Sequence, residues 1–329
     1  MIPEDFKSYF TALEDESKKR LIDELLELSE TSSDFAKGEE RSPVSCPQCK
    51  SVDNRPNGYL KGVRRYCCTS CGKYYSETTN KFWYNIKKKS ELKNYMYHML
   101  QGHSIRRCAS ECNISIQTSF NWRHKILSSF EHLQPSQYSG IVESDEMYLR
   151  ESHKGNRKMD RAPRNRGGGA KKGISKDQIG IIATCDRKGN IGLKVVGRGR
   201  MTKSEIKELL SERIAKDSVL CTDEHPSYKA FAKEEGIVHK THKSSLGQKV
   251  TEQIYHVQNV NNLHQRSKQF LEKFNGVSTK YLQNYLNWFL ALEKVKNSRQ
   301  RIQEWGLILF TAAHPIENYI QIINGKYLY

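Results

Sequence analysis

Four cysteines set the hardest limit on what this chain can fold into. They stand as Cys46-Pro-Gln-Cys49 and Cys68-Thr-Ser-Cys71, with eighteen residues between the pairs. Two C-x-x-C knuckles at that separation bring four thiolates onto one tetrahedral ion, which is the spacing of a structural four-cysteine zinc ribbon. All four coordination positions are then filled by protein, so the single zinc is expected to be structural. Gly72 follows the second knuckle, where the chain must bend back. Cys67 stands in C-x-x-x-C spacing to Cys71, so Cys68 is the expected ligand. Residues 41–80 are therefore read as a ribbon module. Its Arg64 and Arg65, beside Lys61, Lys73, Tyr74 and Tyr75, suit contact with a DNA backbone.

Charge points the same way. The 329 residues carry a formal net charge of +17 and 36% hydrophobic residues. That length allows two or three modules, and that charge favours a polyanionic partner, with nucleic acid first. Binding to a ribosome or a membrane surface is the blander reading. No apolar run approaches the ~18 residues of a membrane span. The first residues show no secretory signal, and paired thiols imply a reducing compartment, so the expectation is a cytoplasmic protein.

Residues 1–40 read as a helical segment and linker, with Phe6, Phe10, Leu13, Leu21, Leu25 and Leu28 at helical spacing. Residues 81–135 read as a helical module. Ser90 to Gln101, Ser104 to Cys112 and Ile116 to about Phe130 are its helices, with Asn113 in a turn and Ser115 as a cap. Short helices joined by such a turn form a helix-turn-helix pattern. Gln117, Ser119, Asn121, Arg123 and Lys125 are its expected DNA-facing residues. Cys108 and Cys112 read as small core residues.

Residues 138–298 form the largest module. Ile141 to Leu149 reads as a strand, placing Glu143, Asp145 and Met147 on one side. From His153 to Lys176, nine Lys or Arg stand against one acid, Asp160. This basic loop offers Arg157, Lys158, Arg164, Arg166, Lys171 and Lys172 to DNA. A hairpin follows over Gln178–Cys185 and Ile191–Val196, then a helix from Thr202 or Ser204 to about Lys216, then a strand ending at Asp223. Val260, Leu263, Ser267, Phe270, Leu271 and Phe274 make the apolar stripe of a late helix. Asn261 and Lys268, about two turns apart, share its polar face. Strands, a helix, a strand and a late helix make an α/β layer arrangement. Residues 299–329 form a tail without a functional reading.

In this order the ribbon, the helices ending in Asn121-Trp-Arg-His-Lys-Ile126, Ser144-Asp145-Glu146, Thr222-Asp223, His256 to Lys268 and Phe274-Asn-Gly-Val-Ser-Thr-Lys-Tyr-Leu282 resemble one group. It is the bacterial insertion-sequence transposases related to the eukaryotic Merlin elements. The resemblance spans about residues 43–290. It implies a multidomain α/β protein with an RNase H-like core. It implies an Asp-Asp-Asn set of Asp145, Asp223 and Asn261, with Lys268 seven residues on. In such a site Mg²⁺ ions activate the attacking oxygen and stabilise the leaving one, and Mn²⁺ can replace them. Two catalytic Mg²⁺, binding of terminal inverted repeats and target DNA, a homodimer or larger assembly on DNA, and association with the bacterial nucleoid follow from the same resemblance. Asn261 is a neutral ligand, so the alternative is a catalytically inactive, transposase-derived regulator. Glu143, Glu146 and Glu252 are nearby acids able to replace it.

Overall fold

The computed structural model describes residues 45–60, 62–76, 78–79, 84–159, 162, 173–242 and 254–296. The expected N-terminal helix, Lys61, Arg164, Arg166, Lys171, Lys172, Glu252 and the C-terminal tail lie outside the described residues. The chain divides into two units, Met1–Asn85 and Ile86–Tyr329. No described helix is long and apolar enough to cross a membrane.

In the first unit, β1 (Asn54–Leu60), β2 (Val63–Cys68) and β3 (Tyr74–Ser76) form an antiparallel sheet in that order. Among the described residues its buried cluster is Cys46, Cys68 and Tyr75, with Tyr66 against it. Such a small core cannot offset the entropy of ordering the chain. Each knuckle closes on itself: the Lys50 amide donates to the Cys46 carbonyl at 2.8 Å, and Gly72 to Cys68 at 2.9 Å. Gly72 takes φ +68°, the left-handed turn that glycine adopts without a Cβ clash.

The second unit begins with α1 (Leu92–Leu100), α2 (Ile105–Glu111) and α3 (Ile116–Ser129). Ser104 caps α2 through the Arg107 amide, and Ser115 caps α3 through Thr118. Asn113, at φ 47°, turns the chain between them. The expected DNA face of α3 needs correction. Residues at steps of two walk around a helix instead of sharing a side. Gln117 and Asn121 are exposed and joined by a 3.0 Å hydrogen bond. Ser119 is buried and donates to the Ile105 carbonyl at 2.7 Å. Arg123 is 1% exposed; its guanidinium donates to the His103 carbonyl and lies 5.1 Å above the Trp288 ring. Arg123 is therefore an internal strut, which corrects its expected role on DNA. Arg123→Ala is expected to cost about 2–4 kcal/mol, from the cavity and the orphaned carbonyl. A thermal melt checks this. A lowered DNA affinity at unchanged melting temperature would restore the DNA role.

The α/β layer follows: β4 (Ile141–Arg150), β5 (Gln178–Asp186), β6 (Ile191–Arg198), α4 (Lys203–Leu210), β7 (Val219–Asp223), α5 (Pro226–Glu235), β8 (Val238–His242), α6 (Gln258–Glu272) and α7 (Leu282–Lys296). The sheet runs β6-β5-β4-β7-β8, with β4–β7 and β7–β8 parallel and the rest antiparallel. That is the RNase H-like order. α4 opens with a capping box between Thr202 and Glu205 and stops at Leu210, six residues short of the expected end at Lys216. Its packing partners decide this: Ile206 and Leu210 fill the core with Val142, Leu220, Phe231 and Ile214, and Ile214 is already off the helix. The sequence reading contains neither α5 nor β8.

Edge strand β6 is closed by side chains. Gln134 and Gln283 both donate to the Leu193 carbonyl, and their oxygens accept from the Leu193 and Val195 amides. Edge groups left free would invite pairing with another chain. α7 carries Gln283 and so lies along this edge. It also receives α3: His124 stacks on Tyr281, just before α7, at 3.9 Å between centroids. Burial pushes the His124 imidazole down to about 3, so it stays neutral inside this contact.

Candidate metal centre

The position of the carboxylates follows from strand register. β4 pairs with β7 in parallel, Ile141 against Val219 and Glu143 against Cys221. Each pairing spans 78 positions, the difference between 219 and 141 or 221 and 143. Asp223 lies 78 positions after Asp145, so the same register, continued two residues past the last pair, sets the two aspartates level. Asp223 is the last residue of β7, and Asp145 stands midway along β4, two residues past the last β4–β7 pair. Open α/β sheets hold ligands in the crevice beyond the carboxyl ends of their parallel strands.

Glu146 joins them: one carboxylate oxygen from each of Asp145, Glu146 and Asp223 lies within 4.8 Å of the others. The Asp145 Oδ1 accepts from the Glu146 amide at 2.9 Å, and the Asp223 Oδ1 from the His225 amide at 3.0 Å. Burial, and then the Asp223 charge, lifts Asp145 to about 6. Burial, then Asp145 and Asp223, lifts Glu146 to about 7. Such a repulsive cluster of hard oxygens fits a divalent cation such as Mg²⁺ or Mn²⁺.

The sign of the proton linkage is fixed by these shifts. Folding holds both protons more tightly than the unfolded chain does, so cation-free stability falls as pH rises through about 6 and 7. A cation must displace the same protons. The rise in melting temperature given by Mg²⁺ is therefore expected to be small at pH 5.5 and large at pH 8. A pH-independent rise in thermal-shift titrations would contradict this.

α6 covers the carboxylates, and β4 holds it in place. Val257, at its N-cap, makes no side-chain cap bond. Glu143 supplies that cap from the strand: its carboxylate accepts from the Asn259 amide at 2.9 Å, the Val260 amide at 3.1 Å and the Asn259 side chain at 2.8 Å. Arg187 pairs with the same carboxylate at 2.9 Å, and His256 lies 3.4 Å away. A buried carboxylate on helix amides is favoured by the positive end of the helix dipole. At the other end, Lys154 Nζ donates to the carbonyls of Phe274 and Gly276, each at 2.8 Å. Glu143→Gln removes the charge from the N-terminal anchor at a cost of about 1–3 kcal/mol. Faster amide exchange at Asn259 and Val260 would report it; unchanged exchange would show the anchor to be dispensable.

Val260, Leu263, Ser267, Phe270 and Leu271 of α6 are buried, as their spacing predicts, while Asn261 and Lys268 are exposed. His264 lies between those two on the same stripe, with its Nδ1 3.8 Å from Asp145 Oδ2. Burial, with Lys268 adding to it, depresses His264 to about 4. Lys268 is also close enough to pull Asp145 downward. Glu146 carries no periodicity signal, because it alternates with Asp145 along the strand.

A second metal-ligating group lies in the first unit. Cys46 and Cys71 sulfurs are 3.6 Å apart, and those of Cys49 and Cys68 3.5 Å. The edge of a tetrahedron with Zn–S arms of about 2.3 Å is about 3.8 Å, so the thiols fit zinc. Amides of Cys49 and Gln48, with neighbouring thiols, outweigh burial and bring Cys46 down to about 7. The Cys67 sulfur turns instead toward the Cys68 and Gly72 carbonyls. On the ribbon surface Arg64 stacks over Tyr66 and Arg65 over Tyr74, at 5.7 and 5.8 Å. In the second unit Arg157 and Lys158 are exposed, and Lys125 is half-buried with burial lowering its pKa.

Residues 137–290 match the family described as the ISXO2-like transposase domain. No curated protein matches the chain. Among solved structures, a pre-cleavage Mos1 transpososome aligns at 10% identity and TM-score 0.27, over 73% of this chain and 79% of that one. The mariner Mos1 paired end complex with Mg aligns at 13% identity and TM-score 0.28, with the same coverage. Likenesses this loose carry no argument about this chain.

Proposed function

We propose, from the match of residues 137–290 to the ISXO2-like transposase domain, that this chain is the DNA transposase of an insertion sequence. The observation that carries the reading is the level placement of Asp145 and Asp223 beneath a helix that presents Asn261 and Lys268. Asp145, Asp223 and Asn261 would hold the divalent cations, two Mg²⁺ in the full site, which when bound would supply activation of the attacking oxygen and stabilisation of the leaving one.

The chain's own residues do the rest. Lys268 reaches a strand phosphate as a point charge. Arg157 and Lys158, with Arg164, Arg166, Lys171 and Lys172, hold the DNA beside the cut. The zinc-bound ribbon, through Arg64 and Arg65, and α3, through Gln117, Asn121 and Lys125, bind the terminal inverted repeats. Water attacks phosphorus at the element end; the P–O3′ bond breaks and leaves a 3′-hydroxyl and a 5′-phosphate. That hydroxyl attacks a target phosphodiester, and the new bond forms as the old 3′-oxygen leaves. Joining two ends takes two copies of the chain. The protein then works on the bacterial nucleoid in the cytoplasm.

The neutral Asn261 favours a second reading, a regulator that binds the ends without cutting. Incubation of the protein with Mg²⁺ and DNA bearing the element's ends separates the two. Nicks ending in a 3′-hydroxyl at the element boundary are expected. Tight, specific binding with intact DNA would leave the regulator.

A further inference from the structure

We propose that Glu146 is a ligand of the metal centre and supplies the negative charge that Asn261 does not. This rests on the reading of Asp145 and Asp223 as metal ligands. Divalent cations of the Mg²⁺ type are held by anionic oxygens. Asp145, Asp223 and Asn261 together bring two negative charges, so a third carboxylate has a place to fill.

Among the described residues two further acids stand on the same strand, and only one is free to take it. Glu143 is 1% exposed, and its oxygens are engaged by two α6 amides, the Asn259 side chain and Arg187. Turning it toward a cation would release the N-terminus of α6. Glu146 is the opposite case. Its carboxylate lies within 4.8 Å of the oxygens of Asp145 and Asp223. Its Oε1 is buried and has no hydrogen-bond partner among the described residues. A buried carboxylate oxygen without a donor is costly, and native folds seldom leave one unexplained.

Backbone topology explains how neighbours on a strand reach one site. Successive residues normally point to opposite faces. The pairing of β4 with β7, however, ends at Glu143 opposite Cys221. Past that point β4 has an open side, and the longer glutamate side chain curls around it toward the aspartates. A second unpartnered group stands beside the cluster. His264 is 8% exposed, its Nε2 has no partner among the described residues, and its Nδ1 lies 3.8 Å from Asp145 Oδ2. A bound Mg²⁺ keeps several waters, and those waters would give the buried carboxylate oxygen its donors.

Calorimetric titration of Mn²⁺ into the full-length, zinc-loaded protein without DNA tests this apart from any activity. Glu146→Gln is expected to weaken binding on the order of 10- to 100-fold. The double variant Glu146→Gln with Asn261→Glu is expected to recover most of it. Native-like binding by Glu146→Gln, with binding lost in Asp145→Asn, overturns the proposal and leaves the transposase reading standing. Equal binding by the native protein and Asp145→Asn removes both. If Glu146→Gln also melts lower without metal, the double variant decides: recovered binding supports the ligand role, and failure to recover overturns it.

Discussion

Asp145→Asn or Asp223→Asn is expected to end metal-dependent cleavage of element-end DNA, by about 10³-fold or more. The substitution is nearly isosteric, so the fold should tolerate it. Each aspartate is also held by a backbone amide, from Glu146 or His225, and an asparagine oxygen can accept the same bond. Removing one of two level carboxylates relieves repulsion, so the metal-free melting temperature should rise or stay constant. Cations that stabilise developing charge contribute several kcal/mol to the transition state, and each 1.36 kcal/mol is tenfold in rate. End binding by gel shift should persist, because the ribbon and α3 surfaces lie elsewhere in the sequence. Cleavage that survives Asp223→Asn would place the metal site on another set of acids.

The two aspartates were named in the sequence from their strands and from the family resemblance; their 78-residue interval became a parallel register only once β4 and β7 were seen to pair. The apolar stripe of α6 was legible on its own: burial on one face imposes a 3.6-residue period. What the sequence hid depends on long-range contacts. Nothing local marks Glu143 as the cap of a helix that starts 115 positions later, at Gln258. Arg123 looked like a DNA contact because charged residues are rarely internal; the partners that make burial tolerable, His103 and Trp288, come from distant segments. Glu146 was visible only as a nearby acid, since its reach depends on where the pairing of β4 with β7 stops. α5 was signalled but missed: Pro226 stands at its first turn, Tyr228, Phe231 and Ala232 keep helical spacing, and Gly236 closes it at φ 67°. The short β8 is an edge strand that pairs with β7 alone.

Zinc removal is the other large expected effect, and it should be confined to the first unit. Between Cys46 and Tyr75 the buried apolar cluster is two cysteines and a tyrosine, with Tyr66 beside them. Metal affinity in small sites of this kind, about 10–16 kcal/mol at pH 7, is itself the folding free energy. Cys68→Ser, or a zinc chelator, should therefore unfold the ribbon outright. Amide exchange over β1 to β3 would become fast, while the separate unit from Ile86 onward keeps its melting transition. Cys67→Ser is the control. Its sulfur faces backbone carbonyls and not the thiol cluster, so zinc content should stay at one per chain. If element-end DNA binding falls with Cys68→Ser and holds with Cys67→Ser, the ribbon is the part that recognises ends. If binding holds in both, recognition rests on α3 and the basic loop. Protected ribbon amides after zinc loss would show that the β-sheet stands without the metal, against the size of its core.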